Sequence, residues 1–357
     1  MINVNRRYSP APSSFETRAE VSSPKTVIPS ARKAQQFADG FDPQTVQKLK
    51  DLAQHLGLPP TLDIRKLNLD DPKVVEELTR QLGIDPVNLH KRTNDVEFDG
   101  ALVGVDKTIK QEDLVGKKDL EAVKLKDIEG FTPRPGTKRP SGETIIQING
   151  INTSLDEQKS ALQTTADATG AKVVGIHNAT EGVLGDLKQS VTDKLNVGTN
   201  EAVESLRDVI LSELRDRRPV HLMAHSQGGL ITSRALGEVA KELEREGKSD
   251  LLYRIKVETF GAASGRYPDG PRYVHYVNNK DPVSNLFGVE GATSFRNNPG
   301  KDIFGRQAKI VEFSAKSLIE AHSYQGTYLQ ERLPFDLAYD GPGLVIQNRN
   351  LYKFHFD

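Results

Sequence analysis

Short apolar segments alternate with helical patterns from residue 144 to residue 313, and this alternation limits the possible folds more than any other feature. Strands are predicted over residues 144–148, 172–176, 219–224, 255–260, 273–277 and 308–313, and helices over about 155–168, 185–195, 201–215 and 229–246. Strands that alternate with helices form parallel sheets covered by helices on both faces. The sequence therefore predicts an α/β fold with a central, mostly parallel sheet, whose reactive groups lie in loops at the carboxyl ends of the strands.

The chain that precedes this alternation has a different character. Residues 1–40 are rich in Ser, Pro, Ala and Arg and have no sustained periodicity, which predicts a disordered tail. Residues 41–135 are predicted to form a small helical N-terminal module and a linker, because Asp-Pro begins helical patterns at Asp42 and Asp71. Apolar residues also alternate over 101–105. Residues 136–357 are predicted to be the α/β domain, and no partner of the N-terminal module can be read from these residues.

Composition excludes several classes of function. Charged residues make up 27% of the chain and the formal net charge is −1, so no electrostatic feature favours a nucleic-acid partner. The chain has no cysteine, which excludes disulfide bonds, thiolate metal sites and a cysteine nucleophile.

The sequence contains no obvious membrane-spanning or targeting segment. No apolar run approaches the ~18 residues of a membrane span, and the N-terminus lacks the apolar core of a secretory signal. The default expectation is a cytoplasmic protein, with export that needs no cleavable signal left open. The lysine-rich residues 107–126 leave open a peripheral contact with anionic membranes, although a solvated charged surface is the simpler explanation.

A serine lies at a sharp junction between a predicted strand and a predicted helix. Residues 224–229 are Ala-His-Ser-Gln-Gly-Gly, which predicts a tight turn that lifts the Ser226 side chain clear of the sheet. The residues two before and two after the serine approach each other in such a turn, and Ala224 and Gly228 are small enough to allow this. The pattern predicts a nucleophilic serine, with the backbone N–H of Gln227 as one donor to a developing oxyanion.

Two other roles fit parts of this segment. Ser226 is also a good residue for capping the helix that follows it. His221 and His225 are four residues apart, a spacing that serves a metal ion on a helix. Here, however, the spacing spans a strand and a turn, and the glutamate of the usual zinc motif is missing. We therefore expect neither a metal ion nor an organic cofactor.

A serine nucleophile needs a histidine to take its proton and a carboxylate to orient that histidine. After an elbow of this kind the order along the chain is Ser, acid, His. Asp281 follows the predicted strand 273–277 and is the predicted acid. Initiation of a turn before Pro282 is its alternative role, and Asp269 and Asp302 are rival acids.

Three histidines follow the serine. His275 lies inside a predicted strand and precedes the acid, and His355 is almost at the C-terminus, so His322 is the predicted base. An ordinary surface position near a helix end is the alternative role of His322.

The loop after the first predicted strand is expected to complete the site. In hydrolases with such an elbow, a second oxyanion donor comes from a loop of this kind. The backbone N–H groups of Gly150 and Ile151 are the predicted donors, and Gly150 permits a close approach of the backbone.

Three of these segments together resemble the class 3 lipase family of α/β-hydrolases. Residues 224–229 are similar to the family's Gly-His-Ser-Leu-Gly-Gly elbow, residues 259–265 resemble its next strand end and small-residue loop, and residues 281–283 match its Asp-Pro-Val acid motif. The similarity covers roughly residues 144–329 and is strongest over residues 220–283. It therefore carries over the nucleophile and the acid more firmly than the base.

The resemblance implies an α/β-hydrolase fold and a carboxylic ester hydrolase, either a lipase, a phospholipase or an esterase, that acts on an ester or lipid through an acyl-enzyme. Residues 136–357 are then the catalytic domain. Two alternatives stay open. One is a thioesterase, amidase or acyltransferase that uses the same intermediate, and the other is a non-catalytic binding or interaction protein with a hydrolase fold.

Overall fold

The computed structural model describes residues 95–116, 123–151, 153–179, 201–281, 283–284, 288–289, 298–314 and 320–341. The predicted tail, the helical patterns that begin at Asp42 and Asp71, and the predicted helix over 185–195 all lie outside these residues. The N-terminal module therefore stays a prediction.

One mixed eight-stranded sheet organises the described residues. Its strands are β1 (Leu102–Val103), β2 (Thr108–Ile109), β3 (Thr144–Ile148), β4 (Lys172–Ile176), β5 (Val220–His225), β6 (Ile255–Phe260), β7 (Arg272–Asn278) and β8 (Lys309–Phe313). They lie in the order β2-β1-β4-β3-β5-β6-β7-β8. From β4 to β8 in this order neighbouring strands are parallel, and β1 is antiparallel to both β2 and β4. The predicted, mostly parallel sheet is confirmed.

Helices flank the sheet as predicted. They are α1 (Gln111–Leu114), α2 (Leu155–Thr169), α3 (Glu201–Arg215), α4 (Gln227–Arg245) and α5 (Phe335–Asp340), with a π-helix at Tyr324–Tyr328. The start of α2 follows from its sequence, because Ser154 and Glu157 form a reciprocal capping box. Within the described residues no helix is long and apolar enough to cross a membrane.

The strands from β3 to β8 contribute residues to two apolar layers, one on each face of the sheet. Ile146 and Ile148 of β3 pack with apolar residues of α3 and α4, whereas Ile145 packs with those of α2, the π-helix and α5. Successive side chains of a strand point to opposite faces, so both faces of the sheet are buried. The carboxyl edge of the parallel strands is then the place where loops meet.

The sheet begins earlier in the chain than the predicted domain boundary at residue 136. β1 pairs with the end of β4, and the segment that follows β2 is fastened to the same unit. Leu125 N–H donates to Glu213 Oε1 of α3 at 2.9 Å, and Lys172 Nζ donates to the Leu125 carbonyl at 2.8 Å. The predicted boundary therefore falls inside the α/β unit. The apolar alternation over residues 101–105 covers β1, but a pattern this short does not show that β1 belongs to the sheet.

Part of the lysine-rich segment 107–126 is held by ion pairs. Lys110 Nζ lies 2.7 Å from Glu97 Oε2, and Lys124 Nζ lies 3.2 Å from Asp216 Oδ2. These contacts tie two of the lysines to neighbouring acidic side chains. A membrane contact by this segment stays a prediction.

Candidate active site

Ser226 occupies a tight turn between strand and helix. β5 ends directly before it and α4 begins directly after it. Its φ of 55° and ψ of −125° place a non-glycine residue in a strained conformation, at a cost of roughly 1–3 kcal/mol. Ser226 N–H donates to the Phe260 carbonyl at 3.1 Å, and the Ser226 carbonyl accepts from Gly229 N–H and Ala263 N–H, each at 3.0 Å. The neighbouring strand and loop therefore hold the turn in this conformation.

The Ser226 side chain does not cap α4. It accepts no hydrogen bond from the first turn of the helix, and its Oγ lies 2.9 Å from Nε2 of His322. The capping role that the sequence allowed is therefore not the one that the hydroxyl takes.

Ser226, His322 and Asp281 form one continuous hydrogen-bonded chain. His322 Nε2 is 2.9 Å from Ser226 Oγ, and His322 Nδ1 is 2.7 Å from Asp281 Oδ2. The Asp281 side chain is fully buried, whereas the His322 side chain is 30% exposed. The chain thus leads from a buried carboxylate, through a partly exposed imidazole, to the serine at the carboxyl edge of the sheet. The structure brings together the three side chains that the sequence selected.

The other described histidine after the elbow has different partners. His275 ring nitrogens lie 2.8 Å from Thr259 Oγ1 and 2.9 Å from the Pro299 carbonyl. Burial lowers the pKa of His275 to about 4, so it stays neutral near pH 7. Both ring nitrogens are engaged away from the serine. His355 lies outside the described residues.

The rival acids are also engaged elsewhere. Asp302 accepts hydrogen bonds from Arg306 Nε and Tyr339 Oη, each at 2.8 Å. Asp269 lies 3.5 Å from Lys301 Nζ. Neither carboxylate is the partner of His322, whose two ring nitrogens face Asp281 and Ser226.

The carboxylate of Asp281 accepts three hydrogen bonds. Its Oδ1 accepts from Val283 N–H at 2.8 Å, and its Oδ2 accepts from His322 Nδ1 and, at 2.5 Å, from the Tyr328 hydroxyl. The turn role and the acid role considered for Asp281 therefore coexist, with one oxygen serving each. Sequence reasoning missed Tyr328, because it lies on a short π-helix without an apolar repeat.

Backbone contacts fix the segment that carries His322. Asn278 Nδ2 donates to the Ala321 carbonyl, and His225 Nε2 donates to the His322 carbonyl, both at 2.8 Å. The rings of His225 and His322 are 4.6 Å apart. Burial, reinforced by the neighbouring His322, lowers the pKa of His225 well below its usual 6.5. His225 therefore stays neutral and adds no second positive charge beside the base.

His221 and His225, whose spacing in sequence resembles that of metal ligands on a helix, have different partners. His221 Nε2 lies 2.8 Å from Glu258 Oε1, whereas His225 contacts the His322 carbonyl. In the described part of the chain, no group of three or more His, Cys, Asp or Glu side chains is arranged to hold a metal ion.

Gly150 lies directly against the serine. A Cβ added to Gly150 would be 2.7 Å from Ser226 Cβ and 3.3 Å from its Oγ, so the loop approaches the hydroxyl more closely than any other residue type permits. Among the backbone hydrogen bonds of the described residues, none is donated by the N–H of Gly150 or of Ile151. Two predicted oxyanion donors thus belong to the loop beside the hydroxyl.

Side-chain amides join this loop to the elbow. Asn149 Nδ2 donates to the carbonyls of Gly150 at 2.9 Å and Asn178 at 2.8 Å, and Asn149 Oδ1 accepts from Asn178 N–H at 2.9 Å. Asn178 Nδ2 then donates to Gln227 Oε1 at 2.7 Å. The sequence predicts a role for the backbone N–H of Gln227, but for the side chain of neither asparagine. Their position just after β3 and β4, which are neighbouring parallel strands, is the signal that identifies them.

Gly228 is small for a reason that the sequence analysis did not anticipate. A Cβ at this position would lie 2.5 Å from the Ile148 carbonyl oxygen and 2.8 Å from that of Asn149. The nearest atoms therefore belong to the end of β3, not to Ala224. The helix start and the oxyanion loop are in contact because this position has no side chain.

Two glycines of α4 are expected to respond oppositely to alanine. Gly228→Ala forces a Cβ into backbone atoms and should lower the free energy of unfolding by roughly 3 kcal/mol or more. Gly237 has nothing within 4 Å of an added Cβ, so Gly237→Ala should raise that free energy by about 0.5–1 kcal/mol. Urea unfolding of both variants measures this. Equal stability of Gly228→Ala and the wild type would contradict the close approach.

Comparisons with known proteins identify no family. No protein-family model matches the chain, and no curated protein matches it. Among solved structures, the chain is similar to a D661A mutant of prolyl oligopeptidase B from Galerina marginata bound to a 25mer macrocyclization substrate, with 13% identity and a TM-score of 0.24. The match covers 61% of this chain and 30% of that chain. At this TM-score the likeness bears on neither the fold nor the function.

Proposed function

We propose that this chain is a serine hydrolase with an α/β-hydrolase fold, which cleaves carboxylic esters through an acyl-enzyme. The observation that carries the proposal is the hydrogen-bonded chain from Asp281 through His322 to Ser226. The strand-turn-helix at the serine and the order Ser, acid, His along the sequence support the same fold and the same chemistry.

In the proposed reaction, His322 Nε2 takes the proton of Ser226 Oγ while Oγ attacks the ester carbonyl carbon. Asp281 accepts the Nδ1–H bond, which keeps the Nε2 lone pair facing the serine and stabilises the imidazolium that forms. His322 then gives its proton to the departing alcohol oxygen as the C–O bond breaks. A water molecule, deprotonated by His322, then attacks the acyl carbon. The bond from that carbon to Ser226 Oγ breaks, His322 returns the proton to Oγ, and the carboxylic acid is released.

Backbone N–H groups are proposed to stabilise the negative charge that develops on the carbonyl oxygen. The N–H groups of Gly150, Ile151 and Gln227 are the proposed oxyanion hole, on the basis of their position beside Ser226 Oγ. The amides of Asn149 and Asn178 would keep these donors in place during the reaction. Preorganised donors of this kind are worth about 10²–10³-fold in kcat each.

An ester is favoured as the substrate because residues 224–229, 259–265 and 281–283 resemble the corresponding segments of class 3 lipases. The same acyl-enzyme would serve a thioester or transfer to an alcohol. A panel of p-nitrophenyl esters, an acyl thioester and a p-nitroanilide, assayed with and without an added alcohol, separates these reactions by which donor is consumed and which product is formed.

Labelling with a fluorophosphonate probe tests the proposal. An activated serine displaces fluoride and forms a stable Oγ–P bond, so the wild type should be labelled on the peptide that contains Ser226. Ser226→Ala should not be labelled. Ser233→Ala is the matched control, because Ser233 lies on the same helix and its hydroxyl donates to the Arg266 carbonyl instead. Absence of labelling in a folded wild type would contradict the proposal and favour a non-catalytic binding protein.

A further inference from the structure

We infer that Tyr328 is a positioning residue of the proposed reaction, whose hydroxyl holds the Asp281 carboxylate against His322 and limits how strongly that carboxylate attracts the imidazole proton. The inference rests on the proposed function. It assigns a role to a residue that the sequence analysis did not select.

The contact lies on the same oxygen that faces the base. Tyr328 Oη is 2.5 Å from Asp281 Oδ2, and His322 Nδ1 is 2.7 Å from that oxygen. Both groups donate to one carboxylate oxygen. A hydrogen bond from the phenol therefore withdraws electron density that would otherwise strengthen the bond to the imidazole.

The direction of donation is determined by the surroundings of the hydroxyl. Tyr328 Oη accepts a hydrogen bond from the backbone N–H of Asn278 at 3.3 Å. Besides Asp281, Ser284 Oγ could accept the phenolic proton, but it is 3.5 Å away. The much shorter contact to Asp281 takes the phenolic proton. Burial, together with the Asp281 charge, raises the pKa of Tyr328 well above 10, so the phenol stays a donor across the neutral pH range.

The phenol ring has little freedom to move. Tyr328 is 0% exposed, and its ring packs edge-on against Phe313 at 5.3 Å and Phe260 at 6.4 Å between centroids. It ends the π-helix that begins two residues after His322, so the acid is tied to the segment that carries the base at two points.

Gly261 leaves the space that this arrangement needs. Its φ is 53°, a left-handed conformation that favours glycine. An added Cβ would lie 2.5 Å from Asp281 Oδ2 and 2.8 Å from Tyr328 Oη. The hydroxyl and the carboxylate therefore meet only because residue 261 has no side chain.

Two consequences follow for the reaction. Without the phenol bond the carboxylate attracts the Nδ1 proton of His322 more strongly, so the acid limb of the rate profile should move upward. Asp281 also loses one of the contacts that prevent its rotation, so the fraction of productive geometry and the maximal rate should fall.

The test is the rate of fluorophosphonate labelling from about pH 5 to about pH 9, the range in which histidine titrates. In Tyr328→Phe the midpoint of the acid limb is expected to rise by roughly 0.5–1 pH unit, and the maximal rate to fall about 10-fold. Tyr324→Phe is the matched control. It removes a buried hydroxyl from the same π-helix, but that hydroxyl contacts Thr165 Oγ1 at 3.0 Å, so its profile should match the wild type.

A second variant retains the hydroxyl and changes only its strength as a donor. Phenylalanine retains the ring, and circular dichroism checks that Tyr328→Phe folds. Replacing Tyr328 by 3-fluorotyrosine retains the hydroxyl and makes it more acidic, which strengthens the bond to the carboxylate. The acid limb should then move downward, opposite to its shift in Tyr328→Phe.

The outcomes separate the inference from the proposed function. If the wild type is labelled and the midpoint stays in place in both variants, the positioning role is wrong and the proposed function stands, even if Tyr328→Phe is less stable. If the folded wild type is not labelled at any pH, the proposed function fails and the inference fails with it. Opposite shifts of the midpoint in the two variants support the inference.

Discussion

Replacing Ser226 by alanine is expected to lower ester turnover by about 10⁴–10⁶-fold while the protein stays folded. The substitution removes the Oγ that is 2.9 Å from His322 Nε2, and the described residues supply no second hydroxyl on that nitrogen. The fold should tolerate the change because the side chain makes no cap bond to α4 and the bonds of the turn use backbone atoms of Ser226. Hydrolysis of p-nitrophenyl butyrate and thermal unfolding measure the two effects.

The control for this variant is Ser233→Ala, which should keep wild-type turnover and labelling. Turnover of Ser226→Ala within about 10-fold of the wild type would show that the ester is cleaved without this nucleophile, since removal of a true serine nucleophile costs far more. An inactive variant that has also unfolded would instead reveal that the strained turn depends on the serine, and the unfolding measurement distinguishes the two cases.

The parallel strands were predictable because burial on both faces leaves a plain signal. β3, β4 and β6 have the predicted ends. β5 and β7 differ from the prediction by one residue at each end, and β8 begins one residue later than predicted. Each is a run of mainly apolar and β-branched residues between polar turns, which is typical of strands buried on both faces. The turn at Ser226 was predictable too, because it joins a strand of this kind to an amphipathic helix.

The antiparallel edge of the sheet was not predictable in this way. β1 and β2 have two residues each, and β1 joins the parallel strands through its pairing with β4. A pairing between residues some 70 positions apart is a tertiary contact with no counterpart in local periodicity. The predicted boundary at residue 136 follows a stretch that contains Pro and Gly, and this stretch is a surface connection within the unit.

Some residues of the candidate site were likewise predictable from the sequence, and others were not. The sequence predicts Ser226, Asp281 and His322 from two features, their order along the chain and their positions after strands. Both features follow from the topology of the fold. Tyr328 contacts Asp281, and Asn149 contacts Asn178 beside the elbow. Both are side-chain contacts between residues far apart in sequence, and such contacts depend on how loops fold against each other. The residues that do the proposed chemistry were thus easier to predict than the residues that hold them.

Asp281→Asn is expected to lower kcat for ester hydrolysis by about 10⁴-fold, the second largest effect after loss of the nucleophile. All three partners of the Asp281 carboxylate are donors: Val283 N–H, His322 Nδ1 and the Tyr328 hydroxyl. An amide has only one acceptor atom, so its NH₂ must face at least one of these donors. Wherever it faces His322, the imidazole is forced to carry its proton on Nε2, and it can no longer take the proton of the serine.

Asp269→Asn is the matched control, because Asp269 pairs with Lys301 at the surface and should be replaceable without loss of kcat. Measuring kcat, KM and labelling for both variants at neutral pH decides between the acids. If Asp281→Asn keeps kcat within about 10-fold of the wild type, the chain needs no acid at this position and the tautomer argument fails. If its kcat falls while KM is retained, the carboxylate acts on the reaction and not on substrate binding, which is expected of a buried group that is linked to the serine through the histidine.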